Sequence, residues 1–404
     1  MGPDGIQVRV CAPSIAAMLL LEEFRSLPGL SDLTFNIHES SHQPFSRMII
    51  RILRSLEWKE DMGAELEKDF ANSLTPILAK DMPARIAHRH RWIQHATHPL
   101  PGSATSDQFK PVNIGQAWEG RTLLDVLCAT VPHITRTAWQ NEFAAGLLLN
   151  PKSESVGAGQ LVRAGESYRH LFRQVLEPDV DGRVEILHED EALVVVNKPA
   201  PLPMHAGGRF YRNTLQHILD TVYAPEHMRP AHRLDANTTG LVLVTRSQLF
   251  AGRLQSQFAR REIRKQYLVR VQGHPSTDHF TSNAPISAVS GPLGSRQIDP
   301  TSGREALTEF RVIERSVDGT SLLEARPLTG RTNQIRVHLW DLGFPVRGDQ
   351  VYLADRRLGD TQTVKLSDPP LCLHAWRITF SHPLTQQPTD FTAAPPPWAR
   401  KISS

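Results

Sequence analysis

The sequence predicts an α+β protein whose largest part is built on a largely antiparallel sheet. Strand-like runs recur after Asp181, at 192–196, 241–245, 265–271, 307–312, 321–325 and 377–380. Helical segments between them are fewer, at 214–223 and 247–261. Gly, Pro and Ser gather between the runs, most densely from Gly273 to Gly303. Many strands, few helices and turn-rich connections are the pattern of an α+β fold.

Earlier regions have a different texture. Phe45, Met48, Ile49, Ile52, Leu53 and Leu56 fall on one face of a helix, and Leu66, Phe70 and Leu74 suggest a second. Residues 98–112, with three prolines and several Ser/Thr, are expected to be a linker. A compact unit is expected from Arg121. Thr122 can cap a helix with Asp125 as its capping-box partner, and a second helix opens at Thr135 and stops near Gly146. Short strands are expected at 147–149 and 160–168. The expected organisation is a helical N-terminal extension with linker over 1–110, a small α+β module over 113–175 and the large domain over 182–397.

Composition narrows the class. With 404 residues, 40% apolar and 22% charged, the chain can bury a core without staples. Cys11, Cys128 and Cys372 are far apart and form no paired framework, so reduced thiols and a cytoplasmic location are expected. The early apolar run 15–21 is too short to span a bilayer and carries no signal-peptide flanks, so no membrane association is expected. Net charge is only +3, but between Arg246 and Arg270 seven basic residues face one acid, Glu262. That local excess is a candidate phosphate-facing surface, against the alternative of a solvated helix face. His88, His90, His95 and His98 lie among arginines without an adjoining Cys or acid, which favours an exposed basic surface over a metal site.

Three blocks carry the chemistry. Asn197-Lys198-Pro199-Ala200 follows the strand ending at Val196, where Pro199 ends the strand and leaves the lysine at a sheet edge. His232-Arg233-Leu234-Asp235-Ala236-Asn237-Thr238-Thr239-Gly240 is a polar loop feeding a β-run, which sets Asp235 on a rigid rim. Thr329-Gly330-Arg331-Thr332-Asn333-Gln334-Ile335-Arg336-Val337-His338-Leu339 mixes polar and apolar residues without a clean period, as where anions are held.

These blocks, in this order, resemble those of the RluA family of RNA pseudouridine synthases. Gly348-Asp349, Leu373-His374-Ala375 and Lys265-x-Tyr267 extend the match. The resemblance implies a mixed, mostly antiparallel sheet of pseudouridine synthase type, and the two-helix module with its hairpin resembles the S4 RNA-binding domain. It implies conversion of uridine to pseudouridine in structured RNA, ribosomal RNA first and transfer RNA as the alternative, by a monomer without metal or cofactor. Asp235 is the implied catalytic carboxylate, acting at C1′ or C2′. Arg336 is its implied guanidinium partner, and Tyr267 the ring against the uracil. Substrate contacts are implied for Asn197, Lys198, His232, Arg233, Asn333, Gln334, Ile335 and His374, with Arg233 filling the space of a flipped base. Asn333 replaces the family's usual histidine and Pro201 its usual glycine; asparagine, like histidine, can donate a hydrogen bond. A non-catalytic RNA-binding factor would be favoured had Asp235, Tyr267 or Arg336 been replaced. A glycosidase would need a second carboxylate that the blocks do not offer.

Overall fold

A computed structural model describes residues 82–132, 134–361 and 365–400, and the backbone of strands β1 (Gln7–Val10) and β2 (Thr34–Ile37), which pair in parallel. The helices expected at 45–56 and 66–74 lie outside the described residues. Helix α1 (Met82–Thr97) contains the histidine-rich stretch. Two of its rings bond within the fold, while His95 and His98 are exposed. His90 Nε2 accepts from Ile186 N–H at 2.8 Å, and His88 Nε2 accepts from the Trp92 indole at 3.1 Å.

The chain divides into two compact units, 102–178 with 209–211, and the remainder. The smaller holds β3 (Ser106–Asn113), α2 (Leu123–Thr130), α3 (Arg136–Ala144), β4 (Leu148–Leu149) and β5 (Ser167–Val175), with its sheet in the order β3-β5-β4. The expected caps form: Thr122 Oγ1 accepts from Asp125 N–H at 3.2 Å, and Thr135 Oγ1 from Ala138 N–H at 3.2 Å. Gly146, at φ 70°, ends the second helix region. Leu123, Leu127, Trp139, Phe143 and Tyr168 form its core. The expected linker is corrected here. Its second half is β3, paired along β5 even at Pro111, which faces Arg169. Polar and proline-rich composition hid an edge strand, where a missing N–H is tolerated. The strand expected at 160–168 begins only at Ser167.

In the larger unit ten of the described strands form one sheet, separate from the β1–β2 pair. They are β6 (Glu185–Glu189), β7 (Leu193–Lys198), β8 (Arg229–Pro230), β9 (Thr239–Thr245), β10 (Arg264–Gln272), β11 (His279–Ser282), β12 (Thr308–Arg315), β13 (Thr320–Pro327), β14 (Leu373–Ser381) and β15 (Pro388–Thr392). Helices α4 (Leu215–Val222), α5 (Gln248–Ala259) and α6 (Gln334–Asp341) complete it. The main order is β11-β12-β13-β10-β14-β9-β7-β6, antiparallel except where β14 meets β9. Val194–Val196 and Val242–Val244 are buried on both faces, which explains their unbroken apolar runs.

The β14–β9 seam is short, pairing His374 with Thr239 and Ala375 with Gly240. Gly240 sits at φ 112°, and a Cβ there would lie 2.3 Å from the Ala375 carbonyl oxygen. A glycine is required by this close approach. The third block is also resolved: its second half is α6, whose residues 334–339 are all buried. Ile335 and Leu339 join Val269, Phe310 and Leu323 in the core, and the polar residues between them are buried too, which is why no amphipathic period showed.

Candidate active site

Three stretches far apart in sequence meet at one cleft of about 560 Å³, whose walls include Asp235, Tyr267, Ile335 and Arg336. Asp235 lies in the loop before β9, and its Oδ2 accepts from Arg336 Nη1 at 2.9 Å. The loop is tightly held. Thr238 N–H donates to Asp235 O at 3.1 Å, and Leu202 N–H to Ala236 O at 2.9 Å. Asp235 is the accessible partner, its side chain 27% exposed against 7% for Arg336. No described residue bonds its Oδ1.

Arg336 is fixed from behind. Its Nε donates to Asp349 Oδ2 at 2.7 Å and Nη2 to Asp349 Oδ1 at 2.8 Å, a two-pronged pair inside the protein. The N–H groups of Val351 and Tyr352 brace the same carboxylate. Burial opposes the arginine's charge, but Asp349 and then Asp235 outweigh it, so its pKa rises above the ordinary value. The guanidinium therefore arrives charged and oriented at Asp235.

Tyr267 projects from β10 into the cleft, opposite Ala325 and beside a bulge in the β14 pairing. Burial, and then the nearby Asp235, push its hydroxyl above the usual phenol value, so it stays protonated at neutral pH. Lys265, two residues before it, lines the same cleft and donates to Thr329 O at 3.1 Å. Burial pushes its ammonium down to about 8. Arg233 and Arg331 also line the cleft. Neither they nor Lys265 forms an ion pair with a described acid, so the cleft presents cations around one available carboxylate.

Comparison with known proteins gives the family. A profile of the family described as RNA pseudouridylate synthase matches residues 192–340. A Synechocystis sp. protein named as an uncharacterized RNA pseudouridine synthase is 32% identical over 276 residues, 68% of this chain and 94% of that protein. The chain belongs to the RluA family of RNA pseudouridine synthases. The dual-specificity RNA pseudouridine synthase RluA of Pasteurella multocida is 34% identical over 220 residues, 54% of this chain and 96% of its own. The ribosomal large subunit pseudouridine synthase C of Vibrio cholerae is 31% identical over 208 residues, 52% of this chain and 64% of its own.

As a pseudouridine synthase, the chain departs from several expectations drawn from its motifs. Lys198 does not meet phosphate. It is fully buried, and its Nζ donates to Pro199 O, Leu202 O and Ala236 O at 2.9, 2.9 and 3.1 Å. Burial pushes its pKa down to about 7, with Asp235 and Asp181 opposing. The three carbonyls match the three N–H groups of the charged form, so its role is to tie down the loop carrying Asp235. Asn197 bonds Glu185 at 2.9 Å along the β6–β7 pair and does not line the cleft. Gln334 spends its amide on Thr329, Arg331, Leu307 and Thr308. His374 is 2% exposed, with Nδ1 on Thr239 Oγ1 at 2.8 Å and its ring pKa pushed down to about 4 by burial. His232 lines the cleft, but its Nε2 accepts from Leu243 N–H at 3.1 Å, and burial holds it neutral, down to about 3. Ile335 and exposed Arg233 do face the cleft.

The Arg246–Arg270 cluster is not one basic surface. Arg246 pairs with Glu189 and Glu226, Arg260 with Glu262 and Arg261 with Glu305. Arg270 is buried, donating to Trp398 O, Ser316 and Thr320. Linear charge density missed acids brought in by the fold. Two residues that hold the site were not singled out from sequence: Asp349, signalled only by the Gly348-Asp349 block, and Tyr352 three residues on. Among the described residues no helix is long and apolar enough to cross a membrane.

Proposed function

We propose that this cleft isomerises a uridine flipped out of structured RNA, with Asp235 acting at the ribose, Arg336 holding it and Tyr267 against the base. The observation that carries this is the 2.9 Å Arg336–Asp235 bond, with Asp235 Oδ1 left for substrate. The reaction breaks the C1′–N1 bond and makes a C1′–C5 bond, while a proton leaves C5 and one is gained at N1. It is redox-neutral and needs no co-substrate. The carboxylate serves by adding to C1′ as the uracil leaves, or by taking a proton from C2′. Tyr267 stacks on the base, and its protonated hydroxyl relays the C5 proton by passing its own onward.

Arg233 fills the space left by the flipped base, and Lys265 and Arg331 meet flanking phosphates. The 102–178 unit, with its S4-like pair of helices and sheet, supplies a second grip on RNA shape. The enzyme acts as a monomer on ribosomal RNA. The Vibrio relative, named for the large ribosomal subunit, supports a ribosomal substrate. Tritium release from transcripts carrying C5-tritiated uridine tests this. Wild type is expected to release tritium from large-subunit ribosomal RNA, and Asp235→Asn to release none. Release only from transfer RNA would move the substrate, and full release by Asp235→Asn would end the assignment.

A further inference from the structure

Asn333 lines the cleft where a substrate contact was expected, but both ends of its amide are spent on the protein. It occupies the left-handed region at φ 58°, at the N-terminal end of α6, and makes no cap bond to the helix. Asparagine and histidine are among the few side chains that accept this backbone readily. Its Oδ1 accepts from Arg336 Nη1 at 3.3 Å, and its Nδ2 donates to the Tyr352 hydroxyl at 3.1 Å. That hydroxyl also accepts from Arg296 N–H at 2.7 Å and donates to Arg296 O at 3.0 Å. One donor and two acceptors are all a tyrosine hydroxyl has, so its geometry is saturated.

The saturation fixes which way the Asn333 amide points: Nδ2 must face Tyr352, so Oδ1 must face Arg336. The Tyr352 ring lies under the same guanidinium, 5.0 Å from it, and is 1% exposed. Behind it, Ile286 bridges Ile298 and Arg304, and packs with Val337 and Tyr352. His338 Nε2 meets Ala284 O at 3.0 Å, so the segment around Arg296 is braced against the back of α6.

We propose that Asn333 and Tyr352 form a positioning relay: anchored on Arg296, they hold the second hydrogen of Arg336 Nη1, and so set the aim of the first hydrogen at Asp235. This rests on the role proposed above for Asp235 and Arg336. Asn333 lines the cleft and Tyr352 does not, and both ends of the Asn333 amide are spent on protein partners. Histidine tolerates the same backbone and also offers a donor and an acceptor.

The test compares Asn333→Gly, which keeps the backbone accessible, Tyr352→Phe, which keeps the ring, their double variant and Asn333→His. Each single loss is expected to lower kcat about tenfold, the size of one hydrogen bond to a charged group, while KM for RNA stays within about twofold. The double variant is expected to lose no more than either single, and Asn333→His to stay close to wild type. Solvent exchange at the Arg336 Nη1 hydrogens, followed by NMR in the free enzyme, is expected to quicken in Asn333→Gly and Tyr352→Phe. Wild-type kcat in either single variant, or losses that multiply in the double, would overturn the relay. Should the chosen RNA not be turned over by wild type, the substrate proposal fails, and the exchange rates still decide: unchanged exchange in both singles overturns the relay.

Discussion

Glu189 and Asp235 are both carboxylates gripped by arginine, and they differ in what is left over. Glu189 has a 2% exposed side chain. Its Oε1 accepts from Arg85 and Arg246 at 3.1 and 2.6 Å, and its Oε2 from Arg89 and the Tyr223 hydroxyl at 3.3 and 2.9 Å. Asp235 has one arginine bond on one oxygen and faces a cleft. An arginine beside an acid is therefore no mark of an active site. The mark is an arginine whose other N–H groups are tied behind it, holding an acid with unused acceptors.

The two amide exchanges break this comparison most sharply. Asp235→Asn is expected to lower the rate by at least about a thousandfold, while melting close to wild type. Glu189→Gln is expected to do the reverse. It sets an N–H group against three arginines, and the loss in stability is on the order of 4 kcal/mol, read by urea unfolding. The rate per folded molecule stays within about twofold. A Glu189→Gln enzyme that melts normally but turns over slowly would erase the distinction between the two sites.

A smaller effect is expected from acid. His374 is buried and neutral, its pKa down to about 4 from an ordinary 6.5. Between those values the unfolded chain takes up a proton that the folded chain refuses. Stability thus falls as pH drops below about 6.5 and levels off near 4, a loss of about 3 kcal/mol from this residue. His232 adds in the same direction. His374→Gln should flatten the slope of unfolding free energy against pH in that window; an unchanged slope would mean the ring is not buried neutral. The least effect is expected from Asn197→Ala, with RNA affinity and rate within about twofold of wild type, because its partner is Glu185 and not the cleft. A large loss of RNA affinity, measured by filter binding, would return that asparagine to the site.

The strands most legible in sequence are those buried on both faces, such as β7 and β9, though half-exposed β12 was read as well, and the caps at Thr122 and Thr135 were legible because their chemistry is local. Edge strands β3, β6, β11 and β15 were not, since one polar face and a few residues leave little pattern. Helix α6 was missed for the opposite reason: Gln334, Arg336 and His338 are polar and buried, so polarity stopped reporting exposure. Lys198 misled in the same way. A motif marked it as important, but only the fold showed that its three N–H groups point at carbonyls beneath the Asp235 loop.

The two-residue seam between β14 and β9 has a consequence for how the enzyme comes into being. Asp235 enters from the loop before β9 on one side of that seam, and Tyr267 and Arg336 from elements on the other, the acid and its guanidinium standing 101 positions apart in sequence. Each half of the sheet can satisfy its own backbone by local antiparallel pairing, but neither owns a working cleft. Reactivity is thus born only when the most sequence-distant pairing closes, and a nascent or half-assembled chain is chemically silent towards RNA.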